Sequence, residues 1–307
     1  MLPTITICIC TYKRPDLLAF LLEKILYIRT DNLFDCSVLV IDNDPMCSAK
    51  KVSLSFKNLR FPVSYVSEPR VSISHARNRA LTEAAGEYIA FIDDDEYPTP
   101  EWLFFLFKTL HDFQADAVLG PVRPDYQVAP PSWIIKNKIY DRPIHQTGQQ
   151  LDWSQTRSGN ILLKRTIFDN PDNRFNPVFG NIGGEDKDLF YRIIKQRYKF
   201  VWSNEAVVIE TIPPSRFLLK YLLKRALMRG QASIYYPELH ISMYFKSIVA
   251  LVSYGLILPF LLMFSFSVFV KFLIKSCDHL GRLLGFVGIQ LFRGKDYHFE
   301  KTGGRHA

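Results

Sequence analysis

Short runs of apolar residues alternate, along the first 120 residues, with segments in which apolar side chains recur every three or four positions. The apolar runs cover residues 4–11, 38–41, 61–66, 88–92 and 117–119, and the periodic segments cover residues 15–25, 74–85 and 100–113. This alternation predicts strands buried on both faces and joined by helices, which is typical of a parallel sheet. The chain is therefore predicted to have an α/β fold with a mostly parallel sheet between helices.

Polar residues stand where three of the predicted strands end. Thr11, Asp42 and Asp93 each lie at the carboxyl end of an apolar run. In parallel sheets these ends lie at one edge, and ligands bind along that edge. We therefore expect the three side chains to contribute to one site.

The most acidic segment of the chain is the unbroken run Asp93, Asp94, Asp95 and Glu96, which directly follows a predicted strand. Four adjacent carboxylates repel one another unless a cation neutralises them. Mg²⁺ or Mn²⁺, shared with the phosphates of a substrate, suits oxygen ligands of this kind. In an extended segment Asp93 and Asp95 point the same way while Asp94 faces elsewhere. A solvated turn, in which aspartate is common, is the alternative interpretation.

A second acidic segment lies where another helix is predicted, over residues 186–195. Gly183 and Gly184 precede Glu185 and Asp186 there, and two glycines permit a close approach of the backbone to a ligand. One of the two carboxylates is predicted to act as a general base near the acidic run. The alternative is a purely structural role, because acidic side chains stabilise the first turn of a helix.

Five segments match a known family in order and spacing: residues 11–15, 40–43, 76–81, 86–95 and 183–186. Over residues 4–235 the chain resembles the family 2 inverting glycosyltransferases, which have the GT-A nucleotide-sugar-binding fold. Within that family it is similar to bacterial exopolysaccharide enzymes of the succinoglycan-glucosyltransferase kind, on residues 119–122, 129–130, Trp133 and 214–231. The resemblance implies a GT-A domain over residues 1–236. The remaining residues, 237–307, are predicted from their own pattern to form a membrane-associated helical tail.

The resemblance also implies a binding site for a UDP-sugar donor. Thr11 and Tyr12 would line the pocket for the nucleobase, and Asp42 would accept a hydrogen bond from the uracil N–H. Arg77 would lie near the phosphates. Arg14 belongs to the same nucleotide-sugar-binding set.

The acidic residues receive their roles from the same resemblance. Asp93 would face the ribose, and Asp93 and Asp95 would bind Mg²⁺ or Mn²⁺ beside the diphosphate, with Asp94 among the donor-binding residues. Asp186 would be the general base that deprotonates the acceptor hydroxyl, and Glu185 is the rival candidate. The metal would stabilise the departing diphosphate while the base activates an in-line attack with inversion.

Charge is distributed unevenly along the chain. Residues 1–212 hold 25 Lys and Arg against 26 Asp and Glu, a net charge of −1, whereas residues 213–307 hold 13 against 4, a net charge of +9. The basic excess flanks residues 247–270, a run of 24 residues without a formal charge, and at 1.5 Å per residue this run is long enough to cross a bilayer. Membrane lipid, and not nucleic acid, is therefore the predicted partner of the tail.

Two arrangements of the tail remain open from the sequence. Residues 247–270 can form a single membrane span, or a hairpin kinked at Gly255 and Pro259 that returns to the same face. Residues 280–292 are predicted to form an interfacial amphipathic helix.

The predicted function is transfer of a hexose from a UDP-sugar to a lipid-linked oligosaccharide acceptor during bacterial surface or exopolysaccharide synthesis. The resemblance implies that this takes place at the cytoplasmic face of the inner membrane. A non-catalytic, membrane-tethered component that binds nucleotide sugars is the alternative. A sugar nucleotidyltransferase would need a glycine-rich phosphate loop after the first strand, and residues 11–15 contain no glycine.

Overall fold

The computed structural model describes residues 1–57, 59–181, 183–236 and 241–289. The strands in these residues are β1 (Thr4–Thr11), β2 (Asp35–Asp42), β3 (Val63–Ser67), β4 (Tyr88–Phe91), β5 (Glu96–Pro98), β6 (Ala117–Leu119), β7 (Val122–Tyr126), β8 (Ile161–Lys164), β9 (Phe200–Trp202) and β10 (Val208–Ile212). The α-helices are α1 (Pro15–Ile25), α2 (Lys50–Ser55), α3 (Ile73–Glu83), α4 (Trp102–Asp112), α5 (Ser132–Lys136), α6 (Glu185–Lys195), α7 (Leu219–Ala232), α8 (Ile241–Phe264) and α9 (Phe266–Phe286).

Seven strands form one sheet in the order β3-β2-β1-β4-β8-β6-β9. Every neighbouring pair is parallel except those of β8, which runs antiparallel to both β4 and β6. The predicted α/β architecture with a mostly parallel sheet is confirmed. Because β1 and β2 are parallel and in register, Thr11 lies directly opposite Asp42 at the carboxyl edge of the sheet. A smaller sheet has the order β5-β10-β7.

The core is divided between the two faces of the large sheet. Alternate strand residues point to opposite faces, so Ile7 of β1 packs with the buried sides of α1 and α4, whereas its neighbour Cys8 packs with those of α3 and α6. The apolar periods of these helices supply the facing side chains, such as Leu18 of α1 and Leu189 of α6. Helices therefore cover both faces of the sheet, and polar side chains lie at its carboxyl edge.

The chain divides into two compact units. The first comprises residues 1–125, 142–177 and 185–211 and contains the whole seven-stranded sheet. The second comprises residues 126–141, 178–184 and 212–307, and its described part contains α5 and α7–α9. A small core of its own holds this second unit together, built from Ile134, Tyr140, Ile212, Phe217 and Leu222. The boundary predicted between residues 236 and 237 stays a prediction.

The tail differs from its predicted form. The apolar run over residues 247–270 is divided between two helices, because α8 ends at Phe264 and Ser265 starts α9. Ser265 has extended backbone angles and its hydroxyl accepts a hydrogen bond from the Val268 N–H, which makes it the N-cap of α9. The predicted kink residues Gly255 and Pro259 lie inside α8. Within the described residues the predicted helix at 280–292 is the end of α9, which stops at Phe286, and residues 290–292 lie outside them.

Candidate active site

The acidic run forms a tight turn, which we call the acidic turn (residues 93–96). The Glu96 N–H donates to the Asp93 carbonyl at 3.0 Å, closing the turn directly after β4. The expectation that Asp93 and Asp95 project alike from an extended segment is therefore wrong. The sequence could not distinguish a turn from an extended segment here, because aspartate is common in turns and the apolar run already ends at residue 92. In this turn the side chain of Asp93 faces one partner, whereas the side chains of Asp94 and Asp95 face another.

Arg14 neutralises two carboxylates of the acidic turn. Its guanidinium Nη1 donates to Asp94 Oδ1 at 2.9 Å and to Asp95 Oδ2 at 3.2 Å, and all three side chains are buried. Thr11 Oγ1 donates to the other oxygen of Asp94 at 2.8 Å. Arg14 is placed here by the short connection between β1 and α1, in which Lys13 has a left-handed φ of 55° and Pro15 begins the helix.

Arg77 links the acidic turn to the start of α6. Its Nη2 donates to Asp93 Oδ1 at 3.2 Å, and its Nη1 forms an ion pair with Glu185. Burial opposes the charged form of Arg77, but the carboxylates of Glu185, Asp93 and Asp186 outweigh it and raise the pKa of the guanidinium. The ring of Phe175 lies 5.6 Å from the same guanidinium. The two acidic segments that the sequence singled out therefore lie on either side of one arginine.

The two candidate bases on α6 differ in their surroundings. Glu185 is only 4% exposed and is held by Arg77. Asp186 is partly exposed, and its Oδ1 accepts a hydrogen bond from the Lys187 N–H at 2.8 Å. Of the two carboxylates, that of Asp186 is the more exposed.

Asp42 is enclosed by its own surroundings at the end of β2. Its carboxylate accepts hydrogen bonds from the Asp44 N–H at 3.0 Å, the Ala49 N–H at 2.8 Å and the Tyr65 hydroxyl at 3.1 Å. Burial raises the pKa of the Asp42 carboxyl, although these three hydrogen bonds act in the opposite direction. Asp42 therefore fixes the loop that follows β2. Tyr12, predicted beside it in the nucleobase pocket, is partly exposed next to Thr11.

A partly buried charge network beside the acidic turn was missed by the sequence reasoning. Arg142 forms an ion pair with Glu210 of β10, and β10 pairs with β5 so that Glu210 lies opposite Glu96. Glu96 Oε2 accepts a hydrogen bond from the Asp93 N–H at 3.2 Å. Burial and the carboxylate of Asp93 raise the pKa of Glu96 well above its usual value, and Arg142 opposes this rise. No motif in the sequence marks Arg142, because its partners lie far away along the chain.

The donor set of the site suits a hard divalent cation only in part. Within the described residues, no three or more His, Cys, Asp and Glu side chains are grouped to hold a metal ion. Mg²⁺, however, is usually held by one or two carboxylates together with substrate phosphates. Asp93 can supply one of them, and Asp95 can supply a second once it exchanges its ion pair with Arg14 for the metal. Asp93 is the more accessible of the pair, with 31% of its side chain exposed against 9% for Asp95. The residues present therefore fit a metal that binds together with a phosphorylated substrate.

Comparison with known proteins places this chain in a family. The model described as "Glycosyl transferase family 2" matches residues 6–170. The chain is also 34% identical over 232 residues to the "Succinoglycan biosynthesis protein ExoM" of Rhizobium meliloti (strain 1021), a match that covers 74% of this chain and 73% of that protein. The chain therefore belongs to glycosyl transferase family 2, as its motifs predicted.

Solved structures agree with this assignment at the level of the fold. The mannosyltransferase PcManGT from Pyrobaculum calidifontis, in complex with GDP-Man and Mn²⁺, matches with a TM-score of 0.60 and 15% identity over 94% of this chain and 87% of its own. TarS 1–349 from S. aureus, in complex with UDP-GlcNAc, matches with a TM-score of 0.52 and 15% identity over 77% and 68%. The predicted GT-A fold is confirmed.

Proposed function

We propose that this family 2 glycosyltransferase inverts configuration as it transfers a hexose from a UDP-sugar to a lipid-linked oligosaccharide in bacterial exopolysaccharide synthesis. The observation that carries the proposal is the contact of Arg77 with both Asp93 and Glu185. This contact holds the acidic turn, proposed to bind the donor, beside α6, the helix that carries the proposed base. An in-line displacement requires the donor and the base to lie close together. The relative named for succinoglycan biosynthesis supports the assignment to exopolysaccharide synthesis.

The donor would bind along the carboxyl edge of β1, β2 and β4. Thr11 and Tyr12 would contact the nucleobase, and Arg14 and Arg77 would meet the diphosphate with their guanidinium groups, which suit phosphate geometry. Asp42 is fully buried, so its proposed hydrogen bond to the uracil N–H requires residues 44–49 to move when the nucleotide enters.

Asp93 and Asp95 would hold Mg²⁺ or Mn²⁺ together with the phosphates of the donor, and Asp94 would remain bound to Thr11 and Arg14. When bound, the metal supplies stabilisation of the charge that develops on the departing diphosphate. The related fold that binds GDP-Man with Mn²⁺ supports this choice of cations.

Asp186 would take the proton from the acceptor hydroxyl as that oxygen attacks the anomeric carbon. Its partial exposure supports this role, and the ion pair of Glu185 with Arg77 supports a positioning role for Glu185. Transfer then breaks the bond between the anomeric carbon and the diphosphate, which leaves as UDP, and forms the new glycosidic bond with inverted configuration.

The acceptor is proposed to be lipid-linked because the tail is apolar and basic. In the described residues α8 is the helix long and apolar enough to cross a membrane, and only 6% of its most apolar window is buried. Attachment to the cytoplasmic face of the inner membrane would bring the enzyme to an acceptor carried by lipid.

Calorimetric titration of the detergent-solubilised protein with UDP, GDP and ADP, each with and without Mn²⁺, tests the proposal. We expect metal-dependent binding of UDP and much weaker binding of the other two. Binding of GDP instead would keep the reaction class and replace the donor. Absence of nucleotide binding by a folded sample would contradict the proposal.

Turnover separates the enzyme from a non-catalytic binding component. Release of UDP from a bound UDP-sugar, dependent on added membrane lipid extract, is expected of the enzyme. Tight UDP-sugar binding without any such release would favour the binding component.

A further inference from the structure

The outer side of α8 carries a continuous apolar stripe, which we call the outer stripe. It consists of residues spaced three or four apart and each at least 60% exposed: Phe245, Val249, Val252, Leu256, Phe260 and Met263. Helical spacing aligns these side chains along one face from the second turn of α8 to its last. A face of this length is too apolar to remain in water and needs a partner.

The opposite side of α8 is covered by α9, which runs back along it. Near the start of α8 the ring of Tyr244 lies 5.4 Å from that of Phe286, close to the end of α9. Nearer the middle, Tyr254 lies 5.2 Å from Phe272. The two helices therefore form an antiparallel pair in contact over most of its length.

Polar groups tie α9 in turn to α7. Arg229 of α7 donates two hydrogen bonds to the Asp278 carboxylate, at 2.8 and 2.7 Å. Backbones also meet closely, because a Cβ added at Gly230 would lie 2.1 Å from the Asp278 carbonyl oxygen, and one at Gly281 would lie 2.1 Å from that of Leu227. The α7–α9 contact is thus dense as well as polar.

The first turn of α9, beside the turn at Ser265, is tied to α5. Asn137 donates a side-chain hydrogen bond to the Ser267 carbonyl at 2.8 Å, and the ring of Trp133 lies 6.3 Å from that of Phe266. α9 is therefore attached to polar neighbours at its first turn and in its second half. If α8 crossed a bilayer, α9 would enter the hydrocarbon with it and carry these polar groups and the exposed Lys271 and Lys275 along, and each charged side chain at the bilayer centre costs about 2.5–3.5 kcal/mol or more.

We propose that α8 lies in the plane of one membrane leaflet, with the outer stripe among the acyl chains and α9 on its polar side. The proposal rests on the membrane attachment stated under Proposed function and specifies its form. Anionic lipid is the partner that the charge of this region fits, because residues 241–289 contain Lys246, Lys271, Lys275 and Arg282 against the single acid Asp278. Lys271 and Lys275 are exposed on α9 and can reach headgroups.

Fluorescence quenching by lipids brominated at a shallow or a deep acyl position tests the depth of α8. The variants Phe245→Trp, Val252→Trp and Phe260→Trp, in the full chain, are bound to vesicles of phosphatidylcholine with phosphatidylglycerol. An in-plane helix gives the same ratio of shallow to deep quenching at all three positions. In an inserted helix, positions 245 and 260 would differ in depth by about 22 Å at 1.5 Å per residue.

The wild-type chain gives the background quenching of the four native tryptophans. Tyr27→Trp, at an exposed position of the first unit, is the matched control, and its added tryptophan should stay unquenched. Deep quenching that is strongest at position 252 and weaker at 245 and 260, as in a helix that spans the bilayer, would overturn the proposal in favour of insertion, and so would quenching that changes steadily from 245 to 260. Absence of quenching at all three positions would also overturn it, and a dimer mass in light scattering would then assign the outer stripe to a second copy of the chain. Because UDP binding is measured separately, failure of the donor assignment would leave the depth profile intact.

Discussion

The positive charge of Arg142 interacts with two buried carboxylates. It is ion-paired with Glu210, and it opposes the upward shift in the pKa of Glu96. Glu96 in turn accepts the backbone N–H of Asp93, so this network supports the acidic turn. The pair is partly buried, because 32% of the Arg142 side chain and 12% of the Glu210 side chain are exposed. Removal of Arg142 would therefore leave the Glu210 carboxylate without its partner and only partly hydrated.

Arg142→Met is therefore expected to lower the free energy of unfolding by about 1–3 kcal/mol, less than for a fully buried pair, because 32% of the Arg142 side chain is exposed to solvent. Urea denaturation followed by circular dichroism measures this change. Arg123→Met, at an exposed arginine of β7, is the matched control, with an expected change within about 0.5 kcal/mol. Equal effects of the two substitutions would show that the network does not stabilise the fold.

Asp186→Asn is expected to leave UDP-sugar binding intact and to reduce turnover by at least about 10²-fold, the usual scale of a general base. Glu185→Gln removes the charge that holds Arg77, so we expect it to weaken donor binding as well. Calorimetry and a steady-state assay on both variants separate the two roles. Near-normal turnover of Asp186→Asn, with a loss confined to Glu185→Gln, would transfer the role of base to Glu185.

The need for positive charge around the acidic run could be predicted from the sequence, but the source of that charge could not. Repulsion among adjacent carboxylates is a local property, whereas Arg14 reaches Asp94 across 80 residues and Arg77 reaches Glu185 across 108. Arg14 and Arg77 were expected to bind the nucleotide, and in the structure they also neutralise the acidic turn. Arg142 has no motif of its own, so only the folded chain reveals its position.

At the scale of elements, the sequence predicted those that have a strong period and missed those that are short. α1 occupies its predicted residues and β4 ends within one residue of its prediction, because their apolar patterns span a whole element. β8 and β9 have only four and three residues, a length at which an apolar run is seldom distinct, although β6, with three residues, was predicted. In the tail, the break between α8 and α9 at Ser265 could not be predicted from the uncharged run. Capping depends on one hydroxyl and not on hydropathy.

Two glycines in the tail should respond oppositely to the same substitution. Gly281→Ala places a Cβ against the Leu227 carbonyl oxygen and should lower the free energy of unfolding of the second unit by about 1–3 kcal/mol. Gly255→Ala meets no neighbour within 4 Å and should raise helix stability by about 0.5–1 kcal/mol. Thermal unfolding in detergent, with limited trypsin digestion of the tail, measures both. A stabilised Gly281→Ala would contradict the close α7–α9 packing.

At the scale of the whole molecule, charge is separated along the chain. The net charge of −1 over residues 1–212 contrasts with +9 over residues 213–307. Anionic surfaces should therefore attract the C-terminal part, with about 1 kcal/mol from each basic residue near the headgroups. Apolar burial of the outer stripe does not depend on ionic strength in this way.

Raising NaCl from about 0.05 to about 0.5 M should weaken binding to phosphatidylglycerol vesicles by at least about 10-fold, because salt shortens the range of electrostatic attraction. Binding to pure phosphatidylcholine vesicles should be weaker and nearly independent of salt. Vesicle sedimentation at a series of salt concentrations gives both curves. Identical salt dependence on the two lipids would contradict an electrostatic contribution from the tail.

The position of β8 has a consequence for the order in which the sheet is assembled during synthesis. β4 and β6 leave the ribosome before β8, yet β8 is inserted between them and pairs with both. Until residues 161–164 emerge, one edge of β4 and the facing edge of β6 remain open to incorrect pairing. β8 therefore acts as the closing strand of the sheet, so a nascent chain halted before it would expose these two unpaired strand edges to its neighbours.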